Sequence, residues 1–217
     1  NVDVVSNTRP EIVAELGEML GYAAATNSIW ELEDARCVLA VSANVTEEHN
    51  VVGVPIKRAT RKGARVIVID PREVELTRYT DLWLRPRPGT ELLLLGGLLR
   101  ALFDLGLARE DGIEERCQGL VELKGSLAAF DLDAVARESG VLRKEIEEAA
   151  RVYASAGPAA TVYALDNIPA EHRSGCVRAL ANLALVTGNV GKPGAGLFPM
   201  RQGTNEQGAY DVGCVPG

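Results

Sequence analysis

Asp70 stands directly after an apolar run, is followed by Pro71, and has Arg72 two places on. A carboxylate at a strand end can accept hydrogen bonds from ribose hydroxyls, and a planar guanidinium beside it can meet a phosphate or a base. The plainer alternative is that Asp70 ends the strand and Arg72 is solvated. Glu91 follows the rigid segment RPRPG, with Thr90 between as a helix cap. Its two oxygens suit two parallel N–H donors, such as the N1 and N2 edge of guanine. It could equally be a first-turn acid favoured by the helix dipole. Asn44 and Thr46, in SANVTEEHN, suit a turn or a cap, and Glu47, Glu48 and His49 suit a solvated face. Arg201, Asn205 and Gln207 form a dense polar group in a glycine-containing segment, and such loops either wrap ligands or are simply exposed. Cys37, Cys117, Cys176 and Cys214 are too widely spread for a zinc or iron–sulfur site, and two histidines, His49 and His172, exclude a multi-histidine one. The cysteines read as small, mostly buried reduced thiols, and no residue is assigned as a metal ligand.

These residues need elements to carry them. Cys37–Ala43, Arg65–Asp70, Asp81–Arg85 and Ala159–Leu165 are short apolar runs of the kind covered on both faces of a parallel sheet. Between them, helical spacing predicts helices over Ile12–Leu20, Leu92–Phe103, Val141–Ala154 and Cys176–Val186. In the third of these, Leu142, Ile146, Ala149, Ala150 and Tyr153 share one stripe. Glu47–Lys62 reads as loop then helix, broken or kinked near Pro55 and ended by Gly63. The opening NVDVV reads as a strand, and residues 188–217 as a loop-rich tail. The strand–helix alternation predicts an α/β fold, a doubly wound mostly parallel sheet with helices on both faces, in one domain over 1–217. Ligands of such sheets sit beyond the carboxyl ends of the strands. That rule nominates the loops carrying Asn44, Asp70 and Glu91.

Composition narrows the partners. A net charge of -7 leaves no basic face for a nucleic-acid backbone, while 47% apolar content supports a buried core. No run reaches the ~18 apolar residues of a membrane span, so no direct membrane insertion is expected. SANVTEEHN lacks the glycine fingerprint of an NAD site. The first residue, Asn1 rather than Met, suggests a piece of a larger chain.

Taken in order, LEDARCVLAVSANVTEEH, RKGARVIVIDPREVELTRYTDLWLRPRPGTELLLLGGL, VRALANLALVTGNVGKPGAG and QGAYDVGCVPG resemble the large subunits of the molybdopterin oxidoreductases. The likeness is greatest to formate dehydrogenase alpha subunits and, through them, to the large subunit of respiratory complex I. It extends over almost the whole chain, and IDPR, RPGTE and VTGN together are specific. The resemblance implies a cofactor-binding domain of the formate dehydrogenase and dimethyl sulfoxide reductase type. It implies a segment that holds one of two molybdopterin guanine dinucleotides, with molybdenum or tungsten, in the complete protein; the segment alone need bind none and is expected to be inactive. By motif position Asn44 and Glu47 lie near the diphosphate, Asp70 and Arg72 at the guanosine, and Gly89 and Glu91 at the guanine edge. Arg201 matches a catalytic arginine near the substrate, and Asn205, Gln207 and Gly208 match a pterin-contacting loop. Electrons would pass to iron–sulfur clusters outside this chain, with the rest of the subunit and iron–sulfur subunits as partners, in the cytoplasm.

Three departures bear on the metal. Where formate dehydrogenases carry Cys or selenocysteine followed by His, this chain reads VVSNTRPEIV, offering only the hydroxyls of Ser6 or Thr8. The glycine-rich turn expected after TVYAL reads DNIPAEH, so Asp166 brings negative charge and bulk to that place. The family's RGQNN reads RQGTN, exchanging Gln and Gly at Gln202 and Gly203. A cofactor frame kept around an altered centre also fits a metal-free scaffold domain of a complex I-like large subunit. A stand-alone nucleotide-binding module is the third reading.

Overall fold

The computed structural model describes residues 11–109, 113, 115–201, 203 and 205–214. The expectations for NVDVV, Ser6, Thr8 and Gln202 lie outside the described residues. Five strands form one sheet: β1 (Cys37–Val41), β2 (Arg65–Ile69), β3 (Leu82–Leu84), β4 (Ala159–Tyr163) and β5 (Gly196–Pro199). Their order is β3-β2-β1-β4-β5 and every pairing is parallel. The chain winds outward from β1 through β2 to β3, then returns to the other side of β1 for β4 and β5. This is the doubly wound order, and its reversal opens a crevice between the ends of β1 and β4.

Alternation along the strands builds two cores. Leu39, Val41, Ile67 and Ile69 face one side, against α1 (Glu11–Leu20), α3 (Glu91–Asp104), α5 (Leu132–Ser139), α6 (Arg143–Ser155) and α7 (Ala170–Val186). Val38, Ala40, Val66 and Val68 face the other, where α2 (Asn50–Arg61) supplies Val52 and Ile56. Helices therefore cover both faces, which is why the strands carry almost no polar residue. Two further short α-helices, α4 (Leu120–Leu127) and α8 (Glu206–Asp211), and two 3-10 helices, Ile29–Asp34 and Glu75–Tyr79, complete the described chain. Among the described residues no helix is long and apolar enough to cross a membrane.

Several expectations about elements are corrected. Helix α2 runs through Pro55 without a break. The carbonyl that loses its donor there belongs to Val51, which is 54% exposed, so water is at hand. The α6 stripe excludes Leu142, which caps the helix and is 54% exposed. Helix α7 starts at Ala170, six residues before Cys176, because Pro169 sets its entry and its polar first turns hide the pattern. The stretch read as loop from residue 188 holds both β5 and α8. Gly196 permits β5: its φ is +112°, and a Cβ there would lie 2.2 Å from Thr26 Oγ1. Thr26 instead pairs with Leu197, accepting through its hydroxyl and donating through its backbone N–H.

Candidate functional site at the carboxyl edge of the sheet

The five strand ends deliver the polar residues to one edge. Ser42 leaves β1 at φ 45° and Leu165 leaves β4 at φ 59°, so both walls of the crevice begin with a non-glycine residue in the left-handed region. Such conformations persist only where surrounding contacts hold them, and they gather at ligand sites. Here the Ser42 N–H donates to the Ile69 carbonyl, and the Leu165 N–H donates to the Ser42 carbonyl.

Asp70 follows β2 and is fully buried. Its Oδ1 accepts the Arg72 backbone N–H at 2.8 Å and Nε–H at 3.1 Å, and Oδ2 accepts from Nη2 at 3.0 Å. The fork fixes the carboxylate, and its other lone pairs stay open. Trp83 Nε1–H donates to the Asp70 carbonyl at 2.9 Å, tying β3 to the same corner. Burial and this fork act oppositely on Arg72; the bond to Asp70 prevails and raises its pKa.

Glu91 opens α3 and is 0% exposed. Gly89, at φ +89°, points its N–H back so that Glu91 Oε2 accepts it at 2.8 Å. The expected Thr90 cap is not made: its hydroxyl donates to the Arg87 carbonyl instead. Burial holds the Glu91 carboxyl above its ordinary range, the N–H groups of Glu91 and Gly89 oppose that, and the Asp70 charge adds to it. Both carboxylates stand on segments that follow strands, Asp70 after β2 and Glu91 after β3.

Asn44 and Glu47 lie after β1, with Asn44 Nδ2–H donating to Glu47 Oε2 at 2.7 Å; Glu47 is exposed and holds the amide rather than the crevice. Arg201 follows β5 and stacks over the Tyr210 ring at 5.4 Å. Burial lowers its pKa, while Glu206 is the largest of the charges opposing that. Burial lowers the His49 pKa as well, with the charges of Glu48 and then Glu206 opposing it. Asn205, Gln207 and Gly208 belong to α8 and its left-handed cap, not to a loop, and the Gln207 amide donates to Asp211 Oδ1.

A set of buried polar atoms has no hydrogen-bond partner among the described residues: Ser42 Oγ, Asn44 Oδ1, His49 Nε2, Glu91 Oε1, Asn167 Nδ2 and Oδ1, His172 Nδ1, and Arg201 Nε and Nη2. All belong to segments that follow strands at this one edge. A buried unmet donor or acceptor costs about 1–3 kcal/mol, so such a concentration calls for an occupant rich in hydroxyl, N–H and anionic oxygen. The set fits a nucleotide-bearing cofactor. Sequence reasoning missed Ser42, Asn167 and His172, and it placed His49 on a solvated face, whereas the ring is half-buried with Nε2 enclosed. Only the strand-end rule could have nominated them. A separate cavity of about 370 Å³ between α4 and the end of α7 is lined by Leu120, Leu123, Leu185 and Val186 and shares none of these atoms. Among the described residues no three His, Cys, Asp or Glu side chains gather as a metal site. Cys37 and Cys176 are buried and their thiols are pushed up to about 12, whereas Cys117 and Cys214 are half-buried.

The family model described as molybdopterin oxidoreductase matches residues 5–217. F420-dependent formate dehydrogenase 1 subunit alpha of Methanococcus maripaludis is 37% identical over 204 residues, covering 94% of this chain and 30% of that subunit. Formate dehydrogenase H of Escherichia coli is 32% identical over 204 residues, covering 94% of this chain and 28% of that protein. In structure, acetylene hydratase from Pelobacter acetylenicus superposes with a TM-score of 0.72 at 24% identity, over 88% of this chain and 25% of that one, a likeness of fold alone. The chain spans under a third of the length of these proteins.

Proposed function

We propose, from the premise that this chain belongs to the molybdopterin oxidoreductase family, that it grips the guanosine half of a molybdopterin guanine dinucleotide. The unmet polar atoms along one sheet edge carry this reading. Glu91 accepts from N1–H and N2–H of guanine through Oε1 and the remaining lone pair of Oε2. Asp70, held by Arg72, accepts from ribose hydroxyls on its open lone pairs, and the Arg72 guanidinium lies beside the phosphates. Asn44, steadied by Glu47, and Ser42 face the diphosphate where the chain reverses about β1. Arg201, with two buried N–H groups unmet and Tyr210 beneath, faces the reacting end and an anionic substrate such as a carboxylate. Asn205, Gln207 and Gly208 flank the pterin from α8. The bound group itself supplies a molybdenum or tungsten centre for two-electron exchange with substrate; the protein supplies position and electrostatics. For the complete subunit the activity proposed is formate dehydrogenase-like, with electrons leaving to iron–sulfur clusters outside this chain.

A metal-free scaffold is the second reading, favoured by VVSNTRPEIV, which has no Cys–His pair, and by Asp166 at the end of β4. One experiment separates the two. The complete native protein, purified without oxygen, is assayed for molybdenum and tungsten, and its acid extract for guanosine monophosphate. Near-stoichiometric metal and nucleotide are expected. Nucleotide without metal would favour the scaffold, and absence of both would end the cofactor reading.

A further inference from the structure

Helix α7 turns one face toward the start of α3. A Cβ on Gly175 would lie 3.0 Å from Leu92 Cδ2, so the two helices meet at Gly175 and Leu92. His172 stands three residues before Gly175 and four before Cys176, and positions three and four apart share a helix face. Glu91 is the residue beside Leu92. The charges agree with this placement: His172 acts on Glu91, and Glu91 acts on Cys176.

Two enclosed atoms at this junction have no partner among the described residues, Glu91 Oε1 and His172 Nδ1. Glu91 is 0% exposed, so its free oxygen cannot turn to solvent. A carboxylate oxygen accepts, while an imidazole nitrogen carrying its proton donates. With its proton on Nδ1, His172 gives the α3–α7 junction an unmet donor to set beside the unmet Glu91 acceptor.

The pairing edge of guanine presents N2–H and N1–H as donors and O6 as an acceptor. A carboxylate answers the two donors and leaves O6. We infer that His172 is a specificity-determining residue that donates from Nδ1 to O6 of a guanine whose N1–H and N2–H are held by Glu91. This rests on the guanosine reading of the site given above. Adenine in the same place sets its amino donor against the His172 donor and an unprotonated N1 against the carboxylate. Sites built to match a polar edge reject the mismatched edge strongly, because buried groups are then left unmet.

The test uses the complete subunit produced without its cofactor and titrated with guanosine diphosphate, inosine diphosphate and 6-thioguanosine diphosphate. The first change of base removes the N2 amino group that Glu91 holds, and the second replaces O6 by a poor acceptor. The unaltered protein is expected to prefer guanosine diphosphate over the 6-thio form by about tenfold. His172→Phe should bring that preference below about threefold, while His172→Gln, which keeps an N–H donor, retains it. Both variants should keep the penalty against inosine diphosphate. A His172→Phe protein that still distinguishes oxygen from sulfur by tenfold overturns the inference and leaves the guanosine reading standing, as does an unaltered protein that makes no such distinction while rejecting inosine diphosphate. An unaltered protein that binds none of the three overturns both.

Discussion

Glu91 enters the fold with its charged form disfavoured, burial being the main cause and the Asp70 charge adding to it. The sign follows from a folded-state pKa above the ordinary 4.5. Below that ordinary value the carboxyl is neutral in both folded and unfolded chains and costs nothing. As pH rises toward the raised value the unfolded chain ionises first, and above it the folded protein carries the whole penalty. Without ligand, Glu91→Gln should therefore raise the melting temperature at about pH 7 and lose that advantage near about pH 4. Thermal melts across that range check it; equal melting temperatures at neutral pH would show the carboxylate to be unstrained. The same variant should weaken guanosine diphosphate binding at least about tenfold, since a charge-assisted acceptor is lost. Asp70 and Glu91 were legible in the sequence because each abuts a feature with its own signal, an apolar run ended by proline and a glycine turn. The plainer readings hold as far as position goes: Asp70 stands at the end of β2 and Glu91 in the first turn of α3. His172 was illegible because nothing local marks a polar residue as lying near a helix that starts many residues earlier, and Asn167 because it stands in a turn with no signal of its own.

At the scale of elements, α3 carries paired glycines that are needed for contact. A Cβ on Gly97 would lie 2.7 Å from Val135 Cγ1 on α5, and one on Gly96 would lie 2.1 Å from Phe130. Overpacking of this kind outweighs the gain in helix propensity. Gly97→Ala is expected to destabilise the protein by about 1–3 kcal/mol, a fall of roughly 2–4 °C in Tm for each kcal/mol in a chain of this size. Chemical denaturation would detect it, and an unchanged midpoint would mean that α5 moves aside freely. Helices with a continuous apolar stripe, such as α3 and α6, were readable to within a residue or two. The first turns of α7 were not, because AEHRSG is polar and holds a glycine that looks like a stop but serves as the seat for Leu92. Pro55 misled in the opposite direction, toward a break that the solvated turn of α2 makes unnecessary.

For the whole molecule, fold class was legible because β1, β2 and β4 are apolar almost throughout, which only a sheet covered on both faces requires. Strand order was not, since the reversal about β1 leaves no local mark, and β5 is four residues hidden among glycines. Ile67 sits in the central layer at 0% exposure, paired with Leu39 on one side and Leu82 on the other. Ile67→Ala should cost about 2–5 kcal/mol by equilibrium unfolding. A smaller loss would show that α3 and α6 close over the gap.

The reversal about β1 also has a consequence in time. β1 meets β2 across a connection of modest length, but it meets β4 only after residue 159 has been brought back to Cys37. Closing the longer loop carries the greater entropic cost, so the first three strands can associate while the fourth is still searching. On refolding from urea, helical circular dichroism should recover in an earlier phase than fluorescence-detected nucleotide capture. Simultaneous recovery of the two signals would mean that both halves of the sheet assemble as one.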